Sequence, residues 1–516
     1  MAVDRGYPPP PESGRKGINY ELNLLIRFAL RRGLIGKEDA PWAANGLLGA
    51  LGLMEFRPEA VPSDDVPDTS PDGILERILD WAESAGVIEG GSTERDLLDT
   101  RLMGVFTPRP SDVLARFQAL YQDSPRAATD WFYALGVASN YVRTARTGKN
   151  ILWQTDTEFG KLDITINLSK PEKDPRDIAK AGKAVSTGYP RCLLCRENEG
   201  FVGHAAFPAR QNLRLVPLSL RTGQEWFLQY SPYSYYNEHC IVLNGEHVPM
   251  VICRETFENL LRFLDLFPHY FIGSNADLPI VGGSILSHDH YQGGRFAFAL
   301  DRAGVEVEYA ACEGVAMGRV RWPLSVLRLT SEAARPLIDR ACAVLEAWRD
   351  WSDPEVGVLA RTDAPHNTVT PIARRRDGRY ELDLVLRNNR TSPEHPLGIF
   401  HPHAEVQHIK KENIGLIEVL GLAILPPRLK GALEEMTAAW GRGEGDLSAH
   451  PALTAHDAWY RALRARHSEL RGAAEVESMF RDEVGRVFVQ VLSDCGVFKR
   501  TPEGFAAFDR FVGALG

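Results

Sequence analysis

The first 150 residues place apolar side chains at the spacing of amphipathic helices. Between residues 18 and 29 apolar positions recur at steps of three and four, and Gly33 is suited to end that helix. The same spacing recurs between residues 74 and 85, whereas residues 60–73 are rich in Pro, Asp and Ser and read as an exposed loop. Residues 1–150 are therefore predicted to form a helical N-terminal region.

After residue 150 the apolar positions alternate with polar ones. Residues 162–168 and 380–386 follow this pattern, which is typical of strands with one buried face. Shorter strand-like runs lie at residues 213–218, 226–230 and 240–243. From about Asn413 to the C-terminus the spacing is helical again. The predicted fold class is α+β, with a helical N-terminal region, a mostly antiparallel sheet region and a helical C-terminal region.

Composition narrows the possible functions. The 516 residues carry a formal net charge of −9, which argues against nucleic acid and anionic membranes as partners. No apolar run approaches the length of about 20 residues that crosses a bilayer. Seven cysteines, an odd number, form no small disulfide framework and favour a reducing, cytoplasmic compartment. All 14 histidines follow residue 203, so chemistry is expected in the later part of the chain.

Cys192 and Cys195 have the C-x2-C spacing that lets two thiolates meet one tetrahedral zinc ion. Two unrelated buried thiols are the alternative, and a redox pair is disfavoured because no thioredoxin-like βαβ context surrounds them. His239, His247 and His288 are available to complete a metal site.

The segment GGSILSHDHYQGG, residues 282–294, is the most informative stretch. In a strand, His288, His290 and Gln292 project from one face because side chains alternate. The flanking glycine pairs would let backbone N–H groups approach phosphate oxygens. A neutral histidine so placed can attack phosphorus and form a covalent phosphoramidate. The alternative is an H-x-H pair that only ligates metal or satisfies a polar core.

Several motifs together resemble the galactose-1-phosphate uridylyltransferase family, in its divergent second type. The resemblance rests on the segment at 282–294, the Cys192–Cys195 pair, NEHCIVLNGEHV at 237–248, HPHAEVQHIKKENIGLIEVLG at 401–421 and SNYVRTARTGKN at 139–150. That family belongs to the histidine-triad superfamily, whose transferase branch has two related halves. The resemblance implies two histidine-triad-like antiparallel half-barrel halves, residues 151–325 with the HDHYQ motif and residues 326–516 with HPHAE and the C-terminal helices.

The resemblance also implies roles for single residues. His290 corresponds to the nucleophile that becomes uridylylated, and Gln292 is expected to hydrogen-bond a non-bridging phosphoryl oxygen. The residues that correspond to the ligands of a structural zinc ion are Cys192, Cys195, His288 and His247, with His247 preferred to His239 as the fourth. The sequence departs from the first type at Asp289, where that type has proline, and at Tyr291, where it has cysteine or glycine.

A second H-x-H, at His401 and His403, resembles the iron-type site of the first type. Its remaining ligands have no clear match, so support for iron is weak. A polar network or a substrate contact is an equal alternative for these two histidines. The two H-x-H motifs also suggest a duplicated half-domain.

Candidate substrate-binding residues are less specific. They are Arg143, Arg146, Arg210, Asn212, Asn275, Gly283 and Ser284. The first two arginines could meet a diphosphate, and an exposed basic helix end is the alternative. Arg210 and Asn212 lie in a segment that resembles the nucleotide-binding segment of the family, and Asn275 corresponds to a pocket asparagine there. Polar clusters at 366–368 and 387–390 flank a predicted strand and either face the sugar phosphate or are solvated loop ends.

The resemblance implies a UDP-glucose:hexose-1-phosphate uridylyltransferase. It would move UMP from UDP-glucose to galactose 1-phosphate by double displacement through a uridylyl-histidine. The alternatives are a histidine-triad nucleotide hydrolase or phosphorylase, and a zinc-stabilised nucleotide-sugar binding protein without turnover. Members of the family are commonly dimers, so a homodimer is expected. The sequence leaves the hexose preference open.

Overall fold

The computed structural model describes residues 17–169, 188–283 and 285–516. The N-terminal region is helical, and its helices are α1 (Ile18–Arg31), α2 (Ala40–Leu51), α3 (Asp72–Ser84), α4 (Ser92–Gly104), α5 (Pro110–Asp123), α6 (Pro125–Ala138) and α7 (Thr144–Thr147). Apolar faces of α1 and α3 are buried as their periodicity predicts, and Gly33, with a φ of +66°, follows the end of α1. The helical N-terminal region is therefore confirmed.

Thirteen strands follow in the described residues, together with eight more helices. The strands are β1 (Ile151–Thr157), β2 (Gly160–Ile166), β3 (Val216–Leu218), β4 (Trp226–Tyr230), β5 (Cys240–Asn244), β6 (Phe271–Gly273), β7 (His290–Gly294), β8 (Val305–Cys312), β9 (Val315–Val320), β10 (Val326–Ser331), β11 (Asn367–Arg376), β12 (Arg379–Asn388) and β13 (Leu422–Leu425). The helices are α8 (Arg254–Leu266), α9 (Ala299–Arg302), α10 (Ala334–Asp350), α11 (Leu416–Val419), α12 (Arg428–Gly441), α13 (Asp457–Arg466), α14 (Ala473–Cys495) and α15 (Pro502–Gly513). This mixture confirms the α+β class.

Ten strands form one antiparallel sheet in the order β3-β4-β5-β7-β6-β11-β12-β10-β9-β8. Each half of the sheet contains five strands. Counted from the outer edge to the centre, the order is β3-β4-β5-β7-β6 in one half and β8-β9-β10-β12-β11 in the other, so the fifth strand in chain order precedes the fourth in both. A helix, α8 or α10, connects the third strand to the fourth in both halves. The sheet therefore consists of two topologically equivalent halves that meet between β6 and β11.

The division of the chain at residues 325 and 326 stays a prediction. The strand order favours a division near residue 300 instead, because β8 and β9 pair with β10 at the outer end of the second half. The two H-x-H motifs do not occupy equivalent positions in the halves, since His288 and His290 precede or begin β7 whereas residues 401–403 follow β12.

The two faces of the large sheet are covered differently. One core joins the N-terminal helices with α8, α10 and residues such as Tyr291 of β7. The other core packs Val385 and Val326 against β2, α14 and the segment around Leu416. A third cluster lies among the C-terminal helices α12, α13 and α14. Because Tyr291 points into the first core, alternation directs His290 and Gln292 to the opposite face.

The prediction of uninterrupted helix after Asn413 is wrong at one place. Leu422–Leu425 form β13, which pairs in parallel with β2 and completes the three-stranded sheet β1-β2-β13. Local spacing favoured helix, but the ladder of backbone hydrogen bonds to β2 decides the conformation. None of the helices in residues 17–169, 188–283 and 285–516 is long and apolar enough to span a membrane.

Candidate active site and metal site

Two cysteines and two histidines meet at one partly buried point in the first half. The Sγ atoms of Cys192 and Cys195 lie 3.6 Å apart, and Cys192 Sγ lies 3.2 Å from Nδ1 of His288. Cys195 Sγ lies 3.2 Å from Nδ1 of His247 and 3.7 Å from Nδ1 of His288. The four donor atoms all lie within 4.8 Å of one another.

These separations fit a tetrahedral zinc ion. Zn–S and Zn–N bonds of ordinary length place sulfur atoms about 3.8 Å apart and sulfur and nitrogen atoms about 3.6 Å apart in a regular tetrahedron. The four side chains could therefore hold a metal ion. Residue His239, the alternative fourth ligand, lies instead beside Gln292.

Backbone and amide contacts shape this donor set. The Asn198 side-chain amide donates to the carbonyl oxygens of Cys192 and Cys195, each at 2.8 Å, and so holds the turn that carries both thiols. The Nε2 atom of His288 lies 2.8 Å from the carbonyl oxygen of Asn244. If Nε2 carries the proton and donates to that oxygen, the Nδ1 lone pair faces the thiols, which is the tautomer that a metal ligand requires.

The ionisation of the donors depends on burial. Burial raises the pKa of the Cys195 thiol to about 11 and lowers the pKa of His288 and of His247. Neutral imidazoles are ready ligands, whereas the thiolates need a cation to be stable at neutral pH. The chemistry of the set thus fits a structural metal, and its occupancy stays a prediction.

His290 lies at the start of β7 with its imidazole buried. Its Nδ1 lies 2.8 Å from the carbonyl oxygen of His288, so that Nδ1–H donates there and Nε2 keeps its lone pair. Burial lowers the pKa of His290 to about 4. The side chain is therefore neutral near pH 7, which is the form in which histidine acts as a nucleophile. The predicted strand at 288–292 is displaced: β7 begins at His290 and ends at Gly294.

Gln292 follows on the same face of β7. Its Oε1 atom lies 3.1 Å from Nε2 of His239, which is buried in the loop before β5. In the described part of the chain the amide nitrogen of Gln292 has no hydrogen-bond partner. Continuing the register of β6 by two residues places Asn275 level with His290 in the neighbouring chain segment. The two predicted catalytic residues therefore share a face next to Asn275.

The three predicted arginines line one cleft with a volume of about 120 Å³. Arg143 and Arg146 belong to the segment around α7, and Arg210 comes from the loop before β3. The other lining residues are Asp96 and Thr100 of α4, Thr147, Ser169, Pro208, Ala209, Pro232 and Tyr233. The structure thus brings together residues from five separate parts of the sequence.

Two carboxylates balance part of the positive charge in the cleft. Arg146 pairs with Asp96, with one contact at 3.2 Å, and Arg143 lies 3.3 Å from the buried Asp99. Burial would raise the pKa of Asp96, but Arg143 and Arg146 hold it below its usual value. Burial raises the pKa of Asp99 to about 6 despite Arg143. Three guanidinium groups against two acids leave a net positive charge, which suits a phosphate group.

Aromatic rings connect this cleft with the strand of His290. The rings of Tyr233 and Tyr235 are stacked with centroids 6.2 Å apart, and the centroid of Tyr235 lies 5.6 Å from that of His239. Tyr233 lines the cleft and His239 contacts Gln292. The arginines of the cleft and the polar residues of β7 therefore belong to one continuous region.

The remaining predicted substrate residues have other surroundings. Asn212 is buried outside the cleft lining and donates to the carbonyl oxygen of Ser139 at 2.9 Å. Asn275 is buried, and its Oδ1 accepts from the backbone N–H of Leu416 at 2.9 Å. A Cβ on Gly283 would lie 2.6 Å from Nδ2 of Asn275, so Gly283 allows close approach of these two residues. Ser284 lies outside the described residues.

The second glycine pair does not form a phosphate cradle. Gly293 and Gly294 lie within β7 between β5 and β6. A Cβ on Gly293 would lie 2.5 Å from the carbonyl oxygen of Phe271, and one on Gly294 would lie 2.6 Å from that of Glu238. These glycines are needed for close strand packing, which the sequence pattern alone could not distinguish from backbone donation to a ligand.

The second H-x-H is held by protein groups. His401 Nε2 lies 3.2 Å from Oδ1 of Asn413, and His403 Nε2 lies 3.0 Å from the carbonyl oxygen of Ile399. The backbone N–H of His403 donates to Asp494 at 3.0 Å. These contacts favour the polar network for both histidines.

The clusters flanking β11 and β12 also have protein partners. His366 Nδ1 lies 2.8 Å from Oδ1 of Asn389, and the Asn367 side chain donates to the carbonyl oxygens of Trp348 and Trp351. Arg387 is fully buried and donates to the carbonyl oxygen of Ile414 at 3.0 Å. These side chains therefore make hydrogen bonds within the protein and are not solvated loop ends.

Sequence reasoning missed three participants in this region. Asp96 and Asp99 lie among other charged residues of α4, and only the fold shows that they meet Arg146 and Arg143. The third participant, Tyr235, has a signal in the sequence, because it belongs to a cluster of tyrosines just before His239.

Comparison with known proteins reveals relatives over almost the whole chain. The galactose-1-phosphate uridylyltransferase of Clostridium acetobutylicum is 52% identical over 501 residues, which cover 96% of this chain and 100% of that protein. The protein of the same name from Bacillus subtilis is 50% identical over 504 residues, covering 96% of this chain and 97% of that protein. The crystal structure of yeast Ap4A phosphorylase Apa2 aligns with 58% of this chain and 90% of that chain, with 11% identity and a TM-score of 0.31.

Two family profiles match consecutive parts of the chain. The profile described as galactose-1-phosphate uridyl transferase, N-terminal domain, matches residues 53–249, and that of the C-terminal domain matches residues 263–461. With relatives about 50% identical along nearly its full length, the chain belongs to the galactose-1-phosphate uridylyltransferase family.

Proposed function

We propose that the protein transfers UMP from UDP-glucose to galactose 1-phosphate through a covalent uridylyl group on His290. The observation that carries this proposal is the state of that imidazole. Burial lowers its pKa to about 4, its Nδ1–H donates to the His288 carbonyl, and its Nε2 has no hydrogen-bond partner among the described residues. The chain is also about 50% identical to proteins of that name. Reaction class and nucleophile are thus supported independently.

In the first half-reaction, Nε2 of His290 attacks the α-phosphorus of UDP-glucose. A P–N bond forms, the P–O bond to the β-phosphate breaks, and glucose 1-phosphate leaves. A phosphate oxygen of galactose 1-phosphate then attacks the same phosphorus, the P–N bond breaks, and UDP-galactose leaves. One sugar phosphate replaces a nearly identical one, so a single pocket serves both steps.

Gln292 is proposed to donate its amide N–H to a non-bridging oxygen as charge grows there in the transition state. Arg143, Arg146 and Arg210 are proposed to attract the diphosphate into the cleft, whose net charge is positive. Asn275 and Gly283 are proposed to border the same pocket near His290, and Ser284 remains a candidate by sequence. The position of Asn212 supports a structural role that holds the loop of Arg210.

Zinc would be held by Cys192, Cys195, His247 and His288. With four protein ligands it has no open position and supplies no chemistry to the substrate. Its role would be to hold His288, whose carbonyl oxygen orients the imidazole of His290. Iron is not part of the proposal. No disulfide joins the seven cysteines, all of which lie in the described residues, and this supports a cytoplasmic location. A homodimer stays a prediction.

The decisive experiment uses UDP-glucose without an acceptor. We expect one glucose 1-phosphate released per active chain, one UMP retained on the protein, and release of UDP-galactose when galactose 1-phosphate is added. Continuous release of glucose 1-phosphate would instead indicate a hydrolase, and no release would indicate a binding protein. His290→Ala should form no adduct, whereas His450→Ala, which alters a histidine paired with Glu435 and Glu444, should react normally.

A further inference from the structure

His239 is a buried histidine that the proposed reaction does not use. Only 3% of its surface is exposed, and its single side-chain hydrogen bond in the described residues joins Nε2 to Oε1 of Gln292 at 3.1 Å. Its Nδ1 atom is buried without a hydrogen-bond partner among the described residues. The imidazole therefore has one polar contact, and that contact is with a residue proposed to touch the substrate.

The unpartnered Nδ1 indicates which nitrogen carries the proton. Burial lowers the pKa of His239 to about 4, so the ring is neutral and has one N–H group. A proton on Nδ1 would leave a buried donor without an acceptor, which costs more than leaving a bare lone pair there. The favoured tautomer has the proton on Nε2, and this N–H donates to the amide oxygen of Gln292.

The ring is held firmly in this position. It lies against Tyr236 and Tyr235, with centroids 4.5 Å and 5.6 Å away. The preceding residue, Glu238, has a φ of +54° and is tied to Arg295 and to the hydroxyl of Tyr270. The loop before β5 thus has little freedom to move His239 away from Gln292.

We propose that His239 is a positioning residue that sets the orientation of the Gln292 amide. By donating to Oε1 it directs the amide NH2 group, rather than the carbonyl oxygen, toward the transferring phosphoryl group. A reversed amide would place one oxygen against another and lose the hydrogen bond that stabilises the transition state. This inference rests on the proposed function.

The test compares single-turnover release of glucose 1-phosphate in four variants. His239→Phe keeps an aromatic ring between the tyrosines and removes the donor, and we expect the rate to fall about 10- to 100-fold. His239→Gln retains an N–H donor near the same position and should recover most of the rate. Gln292→Ala should lose about 100-fold or more, and the double variant His239→Phe with Gln292→Ala should be no slower than Gln292→Ala.

Affinity for UDP-glucose separates positioning from general damage. It should change less than about threefold in His239→Phe, with zinc content and unfolding midpoint near those of the unaltered protein. Two results would overturn the proposal: a normal rate in His239→Phe, or losses that multiply in the double variant. Failure of the unaltered protein to form any adduct would overturn the proposed function as well, so the two failures are distinguishable.

A measurement without substitutions covers the case in which His239→Phe fails to fold. Nitrogen NMR of the protein labelled at histidine reports which ring nitrogen of His239 is protonated. A proton on Nε2 supports the proposal, and a proton on Nδ1 rules it out because the amide of Gln292 would then have to donate to His239.

Discussion

Single charged residues are expected to set the affinity of the cleft beside α7 for an anion. Arg146 is paired with Asp96, so part of its charge is already compensated, but the pair is half-buried and Arg143 and Arg210 add to it. We expect Arg146→Gln to raise the KM for UDP-glucose about tenfold, with a smaller change in kcat, because the contact exists in both ground and transition states. Steady-state kinetics with both substrates test this.

The matched control for that variant is Arg461→Gln. Arg461 is exposed and pairs with Asp457 one helical turn away, so it carries a surface ion pair of small energetic value. Equal increases in KM for the two variants would show that the cleft does not bind the nucleotide sugar.

At this scale the pattern of residues alone identifies most directly those site residues whose roles arise from neighbours along the chain. His288, His290 and Gln292 are recognisable because two-residue spacing carries their relationship. Asp96 is not, because its role depends on the approach of α4 to α7, about 50 residues later. The glycines of β7 were misinterpreted because close strand packing and phosphate binding select the same residue type.

The loop that carries Cys192 and Cys195 presents both thiols to the proposed cation. We expect Cys192→Ser to lose near-stoichiometric zinc and to lower the rate of adduct formation, because His288 would no longer be held. Metal analysis after purification without chelator, together with the UDP-glucose assay, tests this. Cys312→Ser, which changes a half-buried thiol outside the cluster, should keep both metal and activity. Unchanged zinc in Cys192→Ser would contradict the site.

A buried ionic network fastens α9, the segment between the two halves, to the second half of the sheet. Asp383 of β12 is paired with Arg328 at 2.7 Å and with Arg374 at 2.8 Å, and Arg328 also donates to the carbonyl oxygens of Leu300 and Ala303. We expect Asp383→Asn to lower the free energy of unfolding by about 3 kcal/mol, because two buried guanidinium groups lose one of the carboxylates that neutralise them. Urea unfolding measures this.

The exposed residue Asp363 supplies the comparison for that variant. Asp363→Asn should change the unfolding free energy by less than about 0.5 kcal/mol. If Asp383→Asn were equally mild, the network would contribute little to the connection between α9 and the sheet.

Strand β11 shows why some strands of this sheet are not recognised from the sequence. All but its last two residues are buried, so it lacks the alternation that marks a half-exposed strand, and Pro371 in its middle argues against a central strand. The structure accommodates the proline because β6 pairs with β11 only at residues 372–374. The conformation of β11 is thus determined by its position in the fold, and a short stretch of sequence does not contain that information.

On the scale of the whole molecule, the sequence suggested a duplication from two H-x-H motifs. The equivalent strand orders reveal two similar halves, but His401 and His403 follow β12 and have no counterpart at the position of His290. The repeat is preserved in backbone topology, while the proposed nucleophile, His290, lies in one half only. A short motif could therefore not locate the boundary between the halves.

The C-terminal helices form a separate core, and one histidine pair connects it with the rest of the protein. His408, in the segment between β12 and β13, and His456, just before α13, approach to 2.9 Å between their Nδ1 atoms. Burial lowers the pKa of each to about 4. Neighbouring positive charge acts in the same direction: His456 lowers the pKa of His408, and Arg428 lowers the pKa of His456.

Acid should weaken this connection. Each folded-state pKa, about 4, lies below the value of about 6.5 expected in the unfolded chain, so the unfolded chain binds more protons between these values. The stabilisation is present above pH 6.5 and is lost as the pH falls toward 4, by on the order of 3 kcal/mol for each histidine. We expect faster hydrogen exchange in α12 and α13 at pH 5 than at pH 7, after correction for intrinsic rates. His456→Phe should reduce this acid sensitivity and His204→Phe should not; equal sensitivity in His456→Phe would show that other groups cause it.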